Sequence, residues 1–370
     1  MLNNLRETIY NHRKYLNTIA EEGLQEFKTA SYIRENLERI NIEYDTFIGT
    51  ATTGIIKGSE GKKTIAFRAD IDGLMTEDGV KHVCGHDAHI SILLGFIEYL
   101  SLNRDKIVDN IVFIFQPAEE GPGGAELLVN EGVLKKYNVD EIYGLHIYPE
   151  IETGLVGVRE EYFLAQVGDF EIDITAKSGH GAMPQNGIDG VVVAANLVTN
   201  LQTIVSRNVS PVDASVLSIG VINGGSRRNI IAEKVKLEGT IRTFKPELYD
   251  KMKDRVREIC RGAEVMYNCK IDVCINDDYP AVYNDKNLTR EFIKSVGEDR
   301  VIELDPLMIS EDFSFYQKAV KGLFFMLGSK DTDKDFTSGL HNCNFNFDEE
   351  VLLNGINHFI DLLKYKKSMK

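Results

Sequence analysis

Residues 111–121 read IVFIFQPAEEG: five apolar residues, then a turn that carries two adjacent glutamates. A continuous apolar run this short, closed by turn residues, is the signature of a strand buried on both faces. The pattern recurs on either side. Residues 63–68 (KTIAFR) run into Asp70-Ile71-Asp72, residues 141–146 (EIYGLH) end on a histidine, and residues 323–327 (LFFML) form a further run. Segments with apolar spacing of three and four, or of helical length, lie at 4–20, 26–40, 89–102, 125–136 and 348–365. Buried strands separated by helices predict an α/β fold with a parallel sheet covered on both faces.

The texture changes near Val167. Residues 169–176 (DFEIDITA) alternate apolar and polar, as a half-exposed antiparallel strand does. A helix is expected from Asp189 to about Ser206. Strands at 216–222 and 235–243 are joined by a loop containing Gly224-Gly225, a hairpin pattern. A second long helix at 246–267 and a strand at 269–275 complete a compact α+β insert. After Asp277 the α/β texture returns. The expected division is 1–167 and 278–370 for one interrupted domain, with 168–277 inserted. A chain of 370 residues is long enough for two cores.

Apolar residues make up 43% and charged residues 27%, the balance of a globular enzyme rather than a disordered chain. The net charge of -15 repels phosphate backbones, so no nucleic acid partner is expected. No run reaches the roughly 18 apolar residues of a membrane span, so no membrane partner is expected. The N-terminal MLNNLRETIYNHRKYL has no apolar signal-peptide core, which predicts a cytoplasmic protein. Five irregularly spaced cysteines read as free thiols or metal ligands.

The chemistry concentrates at turns. Cys84-Gly85-His86-Asp87 places a thiolate and an imidazole one residue apart at the start of a helix, where both can face one metal centre. The ordinary alternative is a buried cysteine beside a capping histidine. Glu119 and Glu120 sit at a strand's C-terminal end, where ligand sites form in α/β sheets, and two adjacent carboxylates are costly to hold together without a cation. The alternative is a solvated acidic loop. His146 ends a strand in the same way, and His341 lies in the glycine-containing loop 338–341. Either histidine alone reads as an ordinary side chain; their convergence with the other two turns points to metal. His82 and His89 flank the Cys84 turn and can support ligands from behind. His12 and His358 lie on helices as surface or packing residues. His180, in SGHGAMP at 178–184, belongs to the insert. It reads either as a loop histidine or as a hydrogen-bond donor to an oxyanion.

With these motifs in view, the sequence resembles the dinuclear aminoacylase and carboxypeptidase family of metallo-amidohydrolases. Within it the chain is similar to the branch of hippurate hydrolase, auxin-conjugate hydrolase and N-acetyldiaminopimelate deacetylase. The resemblance runs nearly end to end. It rests on RADID at 68–72, CGHD at 84–87, QPAEEGPGGAE at 116–126, LH at 145–146 and SGHGAMP at 178–184. It continues through LQTIVSRNVSPVDAS at 201–215, NIIAE at 229–233, GTIRTF at 239–244, SEDFSFY at 310–316 and LH at 340–341.

The resemblance implies a zinc-peptidase-like three-layer α/β catalytic domain with an inserted α+β lid domain that mediates dimerisation. It implies two divalent ions per chain (manganese, zinc, nickel or cobalt) held by Cys84, His86, Glu120, His146 and His341. It implies Glu119 as general base and Asp70 as the acidic residue that orients the ligands. His180, Asn229 and Arg242 match lid residues that meet the substrate, His180 from the neighbouring subunit of a homodimer. The substrate implied is an N-acyl amino acid. QPAEEGPGGAE and NIIAE favour N-acetyldiaminopimelate, and a broad-specificity amidohydrolase is the alternative. An inactive metal-binding homologue would be expected to lack Glu119 or a ligand, and all are present. An acyltransferase using Cys84 as nucleophile leaves the glutamate pair and His341 without a role. The chain departs from the family twice. The N-terminal motif with His and Pro reads Asn17-Thr18-Ile19-Ala20-Glu21-Glu22, a change expected to affect packing only. The segment between Asp72 and Cys84 is short, which is expected to remove a loop near the mouth of the site and to change substrate choice.

Overall fold

A computed structural model describes residues 2–370. In chain order its main elements are α1 (Leu2–Leu16), α2 (Phe27–Arg39), β1 (Ala51–Ile56), β2 (Thr64–Asp70), α3 (His86–Ser101), β3 (Asn110–Gln116) and β4 (Glu141–Glu152). There follow β5 (Gln166–Thr175), α4 (Gly190–Thr203), β6 (Ser215–Gly224), β7 (Lys234–Thr243), α5 (Pro246–Tyr267), β8 (Lys270–Asp277), α6 (Lys286–Val296), β9 (Lys321–Lys330) and α7 (Glu350–Tyr365). They form two units. The first comprises the chain up to Phe163, Val282–Pro306 and Asp312–Lys370; the second comprises Leu164–Ala281 and Leu307–Glu311.

The first unit is built on an eight-stranded sheet. Its centre, in the order β3-β2-β4-β9, is parallel throughout. The sheet is not parallel to its edges, however. β1 runs antiparallel to β3, and the short strand Val156–Val158 runs antiparallel to β9. Alternation along the central strands sorts side chains to two faces. Ile65, Phe67, Ile111, Phe113, Tyr143, Leu145, Leu323 and Phe325 join one core with residues of α1, α3 and α7. Phe67 alone meets Phe96 of α3 at 4.9 Å and Phe359 of α7 at 4.7 Å between ring centroids. Each such buried ring contributes roughly 1.5–3 kcal/mol relative to exposure. On the opposite face Phe324 packs against Phe313, at the start of the short helix Ser314–Ala319. Helices on both faces of one sheet give the three-layer architecture. α3 is buried almost all round, which matches its nearly uncharged sequence. The expected helix at 125–136 is two short ones, Gly124–Asn130 and Val133–Tyr137, separated at Gly132, which has φ +83°.

The second unit is a four-stranded antiparallel sheet, ordered β6-β7-β5-β8, with α4 and α5 packed on it. β5 buries Phe170, Ile172 and Ile174 and exposes the residues between them, as its alternation requires. Residues 307–311 join this unit because Ala165 N–H donates to the carbonyls of Leu307 (3.1 Å) and Ile309 (2.9 Å). That return lies outside the 168–277 insert expected from the sequence, since local patterning cannot register a partner some 140 residues away. Among the described residues no helix is long and apolar enough to cross a membrane.

Candidate metal centre and active site

In the first unit the C-terminal ends of β2 and β3, the middle of β4, the start of α3 and the 338–341 loop converge. The turn before α3 sets the geometry. Gly85 has φ +87°, and a Cβ there would lie 2.2 Å from Ile147 Cδ1, so only glycine fits on both counts. This turn leaves Cys84 Sγ 3.4 Å from His146 Nε2 and 3.2 Å from His341 Nε2. His341 Nε2 lies 3.4 Å from Glu120 Oε1. The loop carrying His341, itself at φ +63°, is pinned by its N–H to the Val83 carbonyl at 2.9 Å.

Potential ligand atoms fall into overlapping groups, Cys84/His86/His146, Cys84/Glu120/His341 and His86/Glu119/Glu120. Within each group the atoms lie no more than 4.8 Å apart. Cys84 belongs to two of them. Ligands about 2.0–2.3 Å from a tetrahedral ion stand roughly 3.3–3.7 Å from each other, close to the 3.4 and 3.2 Å that separate Cys84 from the two histidines. The imidazoles are also presented correctly. His86 Nδ1 is tied to the Asp72 carbonyl at 3.0 Å and to Asp72 Oδ1 at 3.3 Å; His146 Nδ1 is tied to the Ile147 carbonyl at 2.7 Å. A nitrogen facing a carbonyl must carry the proton, so in its neutral form each ring has its lone pair on Nε2. His86 Nε2 is buried with no hydrogen-bond partner, and such an orphaned atom is what a cation would satisfy.

Charge is divided unevenly among these groups. Burial pushes the Cys84 thiol up, so its ligating thiolate form is one that a cation must stabilise. Burial also pushes Glu120 up, but the His341 hydrogen bond and the His86 and His341 charges outweigh it and hold the carboxyl at about 2. Hydrogen bonds to Cys84 and Glu120 hold His341 up at about 10. Burial, then the charge of His89, holds His146 down at about 3, neutral as a ligand must be.

Behind these groups lies a buried layer that the sequence motifs only partly announce. Asp70 makes a 2.5 Å hydrogen bond with His89 Nδ1, and Ile147 N–H donates to His89 Nε2 at 3.0 Å. Asp70 is thus one ring removed from His146. Asp72 makes the direct contacts, to His86 as above and from the Glu120 N–H at 2.9 Å. It stands two residues beyond Asp70, just past the end of β2, and that spacing is its signal in the sequence. Arg68, fully buried, bridges Asp70 at 2.7 Å, Asp312 at 2.8 Å and Gln116 at 2.8 Å. Burial pushes Asp70 up, but the charges of His86 and Arg68 and the His89 hydrogen bond outweigh it and leave the carboxyl well below the usual carboxylate range. Burial instead raises Asp312 to about 6. At the N-terminal departure, Asn17 Nδ2 donates to Asp87 Oδ2 at 2.9 Å. Of the remaining histidines, His82 is buried beside the site, while His12 and His358 are buried packing residues.

The structure brings together Cys84, His86, Glu119, Glu120, His146 and His341, with Asp70 behind them. It places His180, Asn229 and Arg242 in the second unit. His180 pairs with Ile230, next to Asn229, and accepts the Ala182 N–H on Nδ1 at 3.1 Å. That bond leaves Nε2–H as a donor. Arg242, in β7, donates to the Met308 carbonyl at 2.9 Å. The short 72–84 segment forms a hairpin of Leu74–Thr76 and Gly79–Lys81 with Met75 exposed at 57%.

Comparison with known proteins adds an independent line. The N-acetyldiaminopimelate deacetylase of Exiguobacterium sibiricum is 39% identical over 94% of this chain and 97% of its own. That of Bacillus subtilis is 39% identical over 92% of this chain and 93% of its own. Among solved structures, an aminohydrolase from methicillin-resistant Staphylococcus aureus superposes with a TM-score of 0.91 at 31% identity, covering 100% of this chain and 98% of that one. A Bacillus subtilis dinuclear metal-binding peptidase gives 0.84 at 29% identity, covering 97% and 98%. The family model for peptidase family M20/M25/M40 matches residues 66–365. A match of that extent, with relatives this similar along almost the whole length, means that the chain belongs to peptidase family M20/M25/M40.

Proposed function

We propose that this protein is a metal-dependent amidohydrolase that removes the acyl group from an N-acyl amino acid, and that N-acetyldiaminopimelate, cleaved to diaminopimelate and acetate, is its substrate in lysine biosynthesis. The observation that carries the chemistry is the pair of imidazoles, His86 and His146, each with Nδ1 tied and Nε2 turned toward a shared cysteine beside Glu120. The substrate rests on relatives of that name at 37–40% identity over most of their length.

Cys84, His86, Glu120, His146 and His341 are the residues assigned to two divalent ions, and their mixed sulfur, nitrogen and oxygen set suits manganese, zinc, nickel or cobalt. When bound, such ions supply Lewis acidity and lower the pKa of water toward neutrality. Glu119 takes the proton from the attacking water and returns it to the leaving amine. Asp72 holds His86 and the Glu120 backbone, and Asp70 acts through His89. His180, with Nε2–H as donor, is assigned to the oxyanion, and Asn229 and Arg242 to the substrate carboxylate. A homodimer through the second unit is part of the proposal. In its support, β6 is an edge strand that exposes Val221 and Ile222. Five free cysteines fit a cytoplasmic setting.

The test is a comparison of kcat/KM on N-acetyldiaminopimelate, hippurate and N-acetylmethionine with metal-loaded enzyme. Preference for the first is expected. A flat profile or a preference for aromatic acyl groups would make it a broad-specificity amidohydrolase, and no hydrolysis of any would overturn the proposal.

A further inference from the structure

Glu26 is a carboxylate with no exposed surface, just before α2 and far in sequence from every motif of the site. Its partners explain its position. Oε1 accepts the N–H groups of Leu24 and Ala118, both at 2.9 Å, and Oε2 accepts the Thr50 hydroxyl at 2.8 Å. Burial pushes this carboxyl up to about 7, as no cation pairs with it among its contacts. Ala118 immediately precedes Glu119 and has φ +57°, a conformation that a residue with a Cβ rarely adopts. A residue holds such a conformation only where its surroundings impose it.

Those surroundings are visible. The Ala118 carbonyl accepts from Gly123 N–H at 3.1 Å and Gly124 N–H at 3.0 Å, so the turn is closed from the inside. From outside, the segment before Glu26 lies against it, since a Cβ on Gly23 would come within 2.5 Å of the Gly121 carbonyl. On the far side of Glu119, the Glu120 N–H donates to Asp72 Oδ2 at 2.9 Å. The two residues flanking Glu119 are therefore each gripped through their N–H by a buried carboxylate, one from the N-terminal segment and one from the end of β2.

We propose that Glu26 is a positioning residue for Glu119: by accepting the Ala118 N–H it holds the left-handed turn that aims the Glu119 carboxylate. This rests on the reading of Glu119 as general base. The geometry separates this role from a role in folding. Glutamine at 26 keeps the same oxygen as acceptor for Leu24 and Ala118, and its amide can donate to Thr50. Leucine keeps the volume and removes the acceptor.

The experiment compares Glu26→Gln and Glu26→Leu in the metal-loaded enzyme on its best acylated amino acid, with metal content and thermal midpoint measured alongside. Glu26→Gln should retain kcat within about threefold. Glu26→Leu should lose at least about 10-fold in kcat, the scale of a misaimed catalytic group, with KM and metal content within about twofold. In a Glu119→Gln background the same leucine change should cost nothing further, because groups that act as a unit are not additive. Wild-type kcat in Glu26→Leu would overturn the proposal, as would equal losses in the two variants or an undiminished loss in the Glu119→Gln background. If Glu26→Leu gives no cooperative melt, Glu26→Asp takes its place. It withdraws the oxygen by one methylene and should show the same kcat loss; unchanged kcat there would equally overturn the proposal. Full activity of Glu119→Gln would instead remove the base assignment itself, whereas an inactive Glu119→Gln with a fully active Glu26→Leu removes only the role of Glu26.

Discussion

Glu119 and Glu120 are neighbours in sequence with different surroundings. Both share a group with His86, and Glu120 also shares one with Cys84 and His341. Replacing Glu119 by Gln is expected to leave metal content unchanged while kcat falls about 100-fold or more, the scale of general-base catalysis. Replacing Glu120 by Ala is expected to lower metal content. Elemental analysis of both variants checks this, and equal metal loss in the two would refute the division of roles. Away from the site, His358 on α7 is buried with neither ring nitrogen hydrogen-bonded. Burial, then the charge of Arg300, holds it down at about 4. The unfolded chain takes up this proton near pH 6.5. Its contribution to stability is therefore whole above about pH 6.5 and is lost as pH falls toward 4. The window corresponds to a few kcal/mol. Thermal melts from pH 7 to pH 4 should show a shallower decline for His358→Leu than for the unchanged protein; parallel declines would refute the assignment.

At the scale of elements, the start of α3 is the part least tolerant of change. Gly85 combines positive φ with contact against Ile147 of β4, and the residues on either side are Cys84 and His86. An alanine there must move the turn or the strand, each of which carries assigned ligands. Gly85→Ala is expected to bind metal at least about 10-fold more weakly, the scale of disturbed ligand support, while its far-ultraviolet circular dichroism stays unchanged. Dialysis against a metal buffer reads the first and a spectrum the second; unaltered affinity would show that the turn relaxes without moving Cys84. The 168–277 region illustrates the converse. Its strands and helices follow their apolar periodicity closely, β5 and α5 in particular, because each rests on one local core.

For the whole molecule, the assigned ligands come from sequence positions 84 and 86, 120, 146 and 341, four separate stretches of chain. An unfolded chain cannot assemble them, so metal binding is linked to folding. Exhaustive chelation should abolish activity and lower the thermal midpoint, and manganese, cobalt, nickel or zinc should restore part of both. Full activity in a metal-free sample would contradict the proposed chemistry. A restored midpoint without activity would mean that the metal is structural.

By itself the sequence determined the α/β core, the α+β insert and the turns that bear ligand-type residues. These follow from local periodicity and from residue types that few other sites combine, as at Cys84-Gly85-His86 and Glu119-Glu120. Tertiary structure alone decided which buried groups stand behind them. Asp72 hydrogen-bonds His86 while Asp70 stands 3.9 Å from it, His89 carries Asp70's influence toward His146, and Glu26 reaches the peptide ahead of Glu119. It also decided the antiparallel edges of the large sheet and the return of residues 307–311 to the second unit. The reason is physical. Periodicity reports which face of an element is buried, whereas a hydrogen bond between residues 26 and 118, or 68 and 312, exists only once the chain has closed the loop between them.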